Sequence, residues 1–224
     1  MIGQNSHSNI GETEIDTEDS PIGAVIEFLD ANLTDFPSDF IKRPSESDKI
    51  DENLISQELE IFLKRRSSDK LFWFKGQWEY PDDSNRKPDF GTYLVEDRNP
   101  FGLTKAFFEL EAKVLPTGSK DYVKGNQGGI ERFKRGHHGK GLLKSAMIGY
   151  IRENDCSYWF KKINEWINNL ITNNMDTNIH WDSQDLLIET DTFNTTKKYT
   201  SKNTRIVNSF TDSIRLYHYL MELS

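Results

Sequence analysis

Residues 104–115, TKAFFELEAKVL, carry a two-residue alternation. On a strand, Phe108, Leu110, Ala112 and Val114 face one way, and Glu109, Glu111 and Lys113 face the other. Working upstream, LFWFKGQWEY (71–80) and PDFGTYLVED (88–97) are further β-prone runs, separated by the turn-rich segments DDSN and DRNPFG. The three read as a meander. Before them, DENLISQELEIFLKRR (51–66) has an acidic first turn and a basic last turn, which suit the two ends of a helix dipole. Downstream, GNQGGIERFKRG (125–136) reads as a short helix opened by glycine, and SAMIGYI (145–151) as a buried strand. SYWFKKINEWINNLIT, capped by Ser157, carries one apolar stripe at 159, 160, 163, 166, 167, 170 and 171, with Trp159 and Trp166 in the core. DLLIETDTF (185–193) is a further strand, and SIRLYHYLMEL (213–223) fits a strand or a helix, the strand being preferred. This order predicts an α/β fold, a central mixed β-sheet flanked by helices on both faces.

The chain has 224 residues, 35% of them apolar and 29% charged, enough for one sizeable domain with a tail. The single cysteine, Cys156, rules out an internal disulfide and a multi-thiolate zinc site, and points to a reducing, cytoplasmic setting. No apolar run approaches the roughly 20 residues needed to cross a bilayer, so no membrane partner is expected.

Net charge is −8, yet it is unevenly placed. Residues 1–60 hold 15 acids against 3 bases, and the remainder 21 acids against 25 bases. Residues 1–20 lack periodicity and read as a flexible acidic tail. Ser20-Pro21 then starts a short amphipathic helix over about 21–33, and the proline-punctuated stretch 35–50 reads as a connector. The domain boundary is therefore expected near residue 51, with 1–50 as an acidic N-terminal tail and 51–224 as the compact domain. Lys120, Lys124, Arg132, Lys134, Arg135, Lys140 and Lys144 make residues 120–144 basic. Lys197, Lys198, Lys202 and Arg205, among Thr, Ser and Asn, read as an exposed loop that either contacts phosphate or is simply solvated.

Two features carry possible chemistry. Glu58 has Leu54, Ile55, Ile61 and Phe62 at helical spacing, so it lies either at the margin of the apolar stripe or inside, held by a cation. Glu60, between Ser56 and Lys64, belongs to a polar face with an ordinary ion pair. Pro88-Asp89 opens the strand preceding Glu111-Ala112-Lys113, and a hairpin would set Asp89 beside Glu111. Carboxylates so placed repel unless a divalent cation, most naturally Mg²⁺, sits between them, with Lys113 steadying negative charge or a water nearby. The plainer reading of Glu-X-Lys is a half-buried strand with a wet side.

An acid on a helix, an Asp opening a strand and Glu-X-Lys on the next strand together resemble the PD-(D/E)XK nuclease superfamily, with its restriction-endonuclease-like fold. The resemblance covers residues 51–151 best. It implies Mg²⁺- or Mn²⁺-dependent hydrolysis of phosphodiesters, with metal held by Asp89, Glu111 and the Ala112 carbonyl, and with Glu58 as the helical acid. Gln127 takes the place of a polar residue common on the following helix in that superfamily. Arg132, Lys134 and Arg135 would hold neighbouring phosphates, although a surface role explains them equally well.

Six glycines fall between Gly125 and Gly141, a segment that needs backbone freedom or close approach. It matches neither a Walker sequence nor a dinucleotide fingerprint. His137 and His138 are adjacent and point apart, so they suit no shared metal. The functional expectation is a nuclease acting on DNA more than RNA, in a bacterial restriction or anti-phage system, and working as a homodimer where both strands of a duplex are cut. Its rival is a non-catalytic binding or scaffold subunit that retains the fold and docks its acidic N-terminal arm on a basic protein partner, or folds that arm over its own basic segment.

Overall fold

The computed structural model describes residues 20–41, 51–77, 87–95, 106–115, 120–125, 128–173, 176, 178–193, 195–206 and 212–223. Its elements, in chain order, are helices α1 (Pro21–Asn32), α2 (Phe36–Ile41) and α3 (Glu52–Arg66), and strands β1 (Phe72–Gly76), β2 (Phe90–Leu94) and β3 (Phe108–Leu115). Helices α4 (Lys120–Val123) and α5 (Gly129–Lys134), strand β4 (Lys144–Ile151) and helix α6 (Cys156–Asn173) follow. A 3-10 turn (Ser183–Asp185) then leads to β5 (Ile188–Phe193), β6 (Thr196–Thr204) and β7 (Ser213–Glu222).

The strands form one sheet in the order β1-β2-β3-β4-β7-β6-β5. It is mixed: β3/β4 and β4/β7 are parallel, and the four outer pairings are antiparallel. The two strands with the longest buried apolar runs, β4 and β7, take the centre, where both faces are covered. On one face Phe108, Leu110, Ala112, Ile148 and Tyr219 pack against α1, α2 and α3. On the other, Met147, Leu216 and Leu220 pack against α4, α5 and α6. The fold is thus α/β with helices on both faces, as the order of elements predicts. Among the described residues no helix is long and apolar enough to cross a membrane.

Three boundaries differ from the sequence reading. The compact body begins at α1, not near residue 51: Val25, Phe28, Leu29, Leu33 and Phe36 are buried in the same core as Ile55 and Phe62. Asp30 fastens α1 to the sheet, accepting from Lys198 Nζ at 2.6 Å and from Tyr219 Oη at 2.7 Å. The stretch expected to be a bare connector holds α2, which covers the flank of α3. Finally, α6 is capped by Asp155, whose carboxylate accepts from the Tyr158 amide at 2.7 Å, so Ser157 lies inside the helix.

The cationic segment 197–205 is no exposed loop. It forms most of β6, paired with β7 from Thr196↔Met221 to Thr204↔Ser213. Lys198 is spent on Asp30, and buried Arg205 donates to the carbonyls of Gly139 and Leu142. Between β6 and β7 a polar chain crosses the core: Tyr122 Oη and Ser201 Oγ flank His218 at 3.1 and 2.8 Å, and Asn203 donates to Ser201. Burial pushes the His218 imidazole down to about 3, so it is neutral at pH 7.

Candidate active site

The site arises where two paired strands part company. β2 and β3 are in register over Phe90↔Leu110, Gly91↔Glu109 and Thr92↔Phe108, and there the pairing ends, while β3 runs on to Leu115. Beyond Leu110 the β2-side edge of β3 has amides that need acceptors. Two carboxylates supply them. Asp89, just before β2, accepts from the Ala112 amide at 2.8 Å, and Glu52, in the first turn of α3, accepts from the Val114 amide at 3.0 Å. Strand geometry turns the Ala112 carbonyl to the same edge as its amide.

Lys113 joins these acids to the far face of β3. Its ammonium lies 2.9 Å from Glu111, 3.2 Å from Glu52 and 3.9 Å from Asp89. Its side chain is 11% exposed, Glu111 1% and Asp89 25%. Arg132 of α5 reaches Glu111 at 3.4 Å, and buried His138 Nε2 lies 3.3 Å from its other oxygen. Burial, and then the charge of Glu111, push the Asp89 carboxyl up to about 7, against the pull of Lys113 and the Ala112 amide. Burial pulls Lys113 down, but the charges of Glu111, Asp89 and Glu52 outweigh it and hold the ammonium above its ordinary value.

Local sequence explains how the parts are held. Gln77, after β1, donates its amide to the Asp89 carbonyl at 2.9 Å, which fixes the approach to β2. Glu60 accepts from the Gly76 amide at 2.9 Å and pairs with Lys64 at 2.6 Å, clamping β1 to α3. A Cβ at Gly76 would fall 2.4 Å from that carboxylate, so glycine is what permits the clamp. On the other face Gly139, at φ +60, donates its amide to buried Glu109. Its neighbours His137 and His138 point apart, the first exposed and the second buried against Glu111.

Of the residues predicted from sequence, Asp89, Glu111, Lys113 and the Ala112 backbone are brought together, with Arg132 beside them. Glu58 is not. It borders a shallow depression lined by Phe36, Phe40, Phe62 and Arg65, on the flank of α3 that α2 covers. The acid that α3 contributes is Glu52, one face round the helix and nearer its start. Lys134 is a second correction. It is fully buried, ion-paired with Asp185 at 2.5 Å and 4.6 Å from the Trp181 ring, so it cannot reach a phosphate. Arg135 is held by Glu131 and Asp176, each at 2.8 Å. Gln127 lies outside the described residues.

Sequence reasoning missed Glu52 and His138. Glu52 reads locally as a charge matched to the helix dipole, and only the tertiary fold brings it to Val114. His138 had a weak signal, a histidine beside the glycines that fold the chain back towards β3. The hard oxygen donors at the β3 edge, Asp89, Glu111 and the Ala112 carbonyl, suit Mg²⁺ or Mn²⁺. Among the described residues, however, no three His, Cys, Asp or Glu side chains stand close enough to hold a metal ion as a ready cluster. Compared with protein-family models, curated proteins and solved structures, the chain matches none.

Proposed function

We propose that the protein is a Mg²⁺- or Mn²⁺-dependent nuclease of the restriction-endonuclease-like kind, hydrolysing phosphodiester bonds of DNA. The observation that carries this reading is the meeting of Asp89, Glu111 and Lys113 at the point where β2 leaves β3. Asp89, Glu111 and the Ala112 carbonyl would hold the metal, with Glu52 as the acid from the helix. A cation held there supplies charge neutralisation at the phosphoryl oxygens and a more acidic water.

The chain's own residues do the rest. Glu52 and Glu111 fix the Lys113 ammonium, which offers a positive donor to a phosphoryl oxygen or to the attacking water. Arg132, 13% exposed, adds positive charge on the same side. Asp89, which would stand deprotonated with a cation bound, also holds the Ala112 amide at the strand edge.

One observation favours the rival reading, a binding subunit without catalysis. Glu111 is buried within reach of Lys113, Arg132 and His138, and Asp89 and Glu52 cap amides of a strand edge. An internal ion cluster needs no more than this. The assay that separates the two incubates supercoiled plasmid, linear duplex and single strand with Mg²⁺ or Mn²⁺. Cleavage by the wild type, reduced about 100-fold or more in Asp89→Ala and Lys113→Ala, supports the nuclease. Equal cutting by wild type and both variants rejects the site, and no cutting of any substrate supports the binding subunit.

A further inference from the structure

Beside Asp89, between α3 and the end of β1, lies a cleft of about 170 Å³. Asn53, Ser56 and Gln57 line it from α3, Gln77 from beyond β1, and Phe90 at the start of β2. Asp89 forms the wall shared with the candidate active site. Resting on the nuclease reading, we propose that this cleft receives one unpaired nucleobase next to the phosphodiester at Asp89, and that the substrate is therefore single-stranded DNA or an unpaired end or flap of a duplex.

Lining chemistry decides the kind of group. No cation is among the lining residues, and Glu60 and Asp89 are acidic, so a phosphate is disfavoured there. What the cleft offers is three carboxamides and a hydroxyl, each able to donate and accept. That repertoire matches the mixed donor and acceptor edge of a nucleobase, while Phe90, buried in the core, borders the cleft from within. In a duplex the Watson–Crick edge is occupied by the opposite strand, and single-strand recognition works by reading it. Size agrees. Pockets for drug-sized ligands begin near roughly 300 Å³, and this smaller cleft admits one heterocycle and not a base pair.

The Gln77 backbone fixes one end of the cleft. Gln77 has φ +46, a left-handed conformation that is uncommon outside glycine and costly to keep. It is retained at the end of the cleft where the Gln77 amide binds the Asp89 carbonyl, tying the cleft wall to the acid.

The test reads binding without catalysis. Fluorescence anisotropy in EDTA compares a short labelled single strand with the blunt duplex of the same sequence, for wild type, Gln57→Trp and Gln77→Gly. Gln57 is an exposed helix position, so tryptophan fills the cleft without entering the core. Glycine is the residue that φ +46 favours, so Gln77→Gly removes the carboxamide while easing the backbone. The single strand is expected to bind at least about tenfold tighter than the duplex, with most of that preference lost in Gln57→Trp and part of it in Gln77→Gly. Equal binding of strand and duplex by the wild type, or an undiminished preference in Gln57→Trp, overturns the proposal. Cleavage assayed in parallel with Mg²⁺ keeps the two readings apart. Absent cleavage sinks the nuclease alone, whereas Asp89-dependent cleavage that treats strand and duplex alike sinks the base cleft alone.

Discussion

Lys134 and Lys113 are both withdrawn from water, and their surroundings push them in opposite directions. Lys134 is fully buried with one carboxylate, Asp185, and burial wins: the lysine is lowered and the acid is raised. Lys113 keeps a small exposed fraction and faces Glu111, Asp89 and Glu52, and the charges win. One cation against one anion is a closed account, typical of a structural pair. Lys113 stands among three acids, with Arg132 sharing Glu111, and Asp89 is pushed up to about 7 by burial first and by the charge of Glu111 second. The sequence offers both lysines as phosphate or catalytic candidates, and their surroundings separate them.

Breaking each pair should therefore fail differently. Lys134→Met strands a buried Asp185 carboxylate, and an unpaired buried charge of this kind costs about 3–5 kcal/mol. Urea unfolding measures it, and Lys134→Met/Asp185→Leu should recover most of the loss. A full loss that the double variant does not recover would show that the pair does more than neutralise itself. Lys113→Met should cost less, about 2 kcal/mol at pH 8, because Asp89 can be protonated. At pH 6 the loss should shrink, since the proton relieves the repulsion among the three acids. A loss independent of pH would mean that Asp89 carries no such strain.

The pH dependence of the wild type has two opposed contributions. Asp89 is raised in the folded state from 3.8 to about 7. Between these values the unfolded chain releases the proton and the folded one keeps it, so this group lowers stability as pH rises through that window. The slope stays below the single-proton ceiling of about 1.4 kcal/mol per pH unit, because the side chain is a quarter exposed. His218 works the other way. Its folded value falls from 6.5 to about 3, so stability is complete above 6.5 and declines as pH falls towards 3. Asp89→Asn should remove the decline that accompanies a rise in pH from 3.8 to about 7, and His218→Gln the decline that accompanies a fall below 6.5. An unchanged profile in either variant refutes that assignment.

How much of this is legible in the sequence depends on whether the deciding contact is local. The alternation of TKAFFELEAKVL places Glu111 and Lys113 on one face before any tertiary contact is known, and Pro88-Asp89 marks where the preceding strand begins. Non-local partners leave no such trace. α1 carries its own amphipathic period, but Asp30 meets Lys198 and Tyr219 from strands far along the chain, so the segment reads as part of a tail. β6 hides for a similar reason. Its run TKKYTSKNT has few apolar residues to alternate, and buried Lys198 and Ser201 find their partners only in Asp30 of α1 and His218 of β7. The cleft beside Asp89 needs both α3 and the β1–β2 hairpin, and no single segment announces it.

The smallest effect concerns the two acids of α3. Glu58 has apolar neighbours at every helical spacing, but of these only Ile55 and Phe62 belong to the buried core, Ile61 is 46% exposed, and Glu58 lies beside Phe36, Phe40 and Phe62 at the edge of the α2 contact. Glu58→Gln should leave cleavage unchanged and move stability by less than about 1 kcal/mol. Glu52→Gln keeps an oxygen for the Val114 amide while removing one of three charges facing Lys113, so cleavage should fall about three- to tenfold with little change in unfolding. Melting curves and initial rates on the two variants, side by side, decide which acid belongs to the site. A larger loss in Glu58→Gln than in Glu52→Gln would return the helical acid to the position that the residue pattern first suggested.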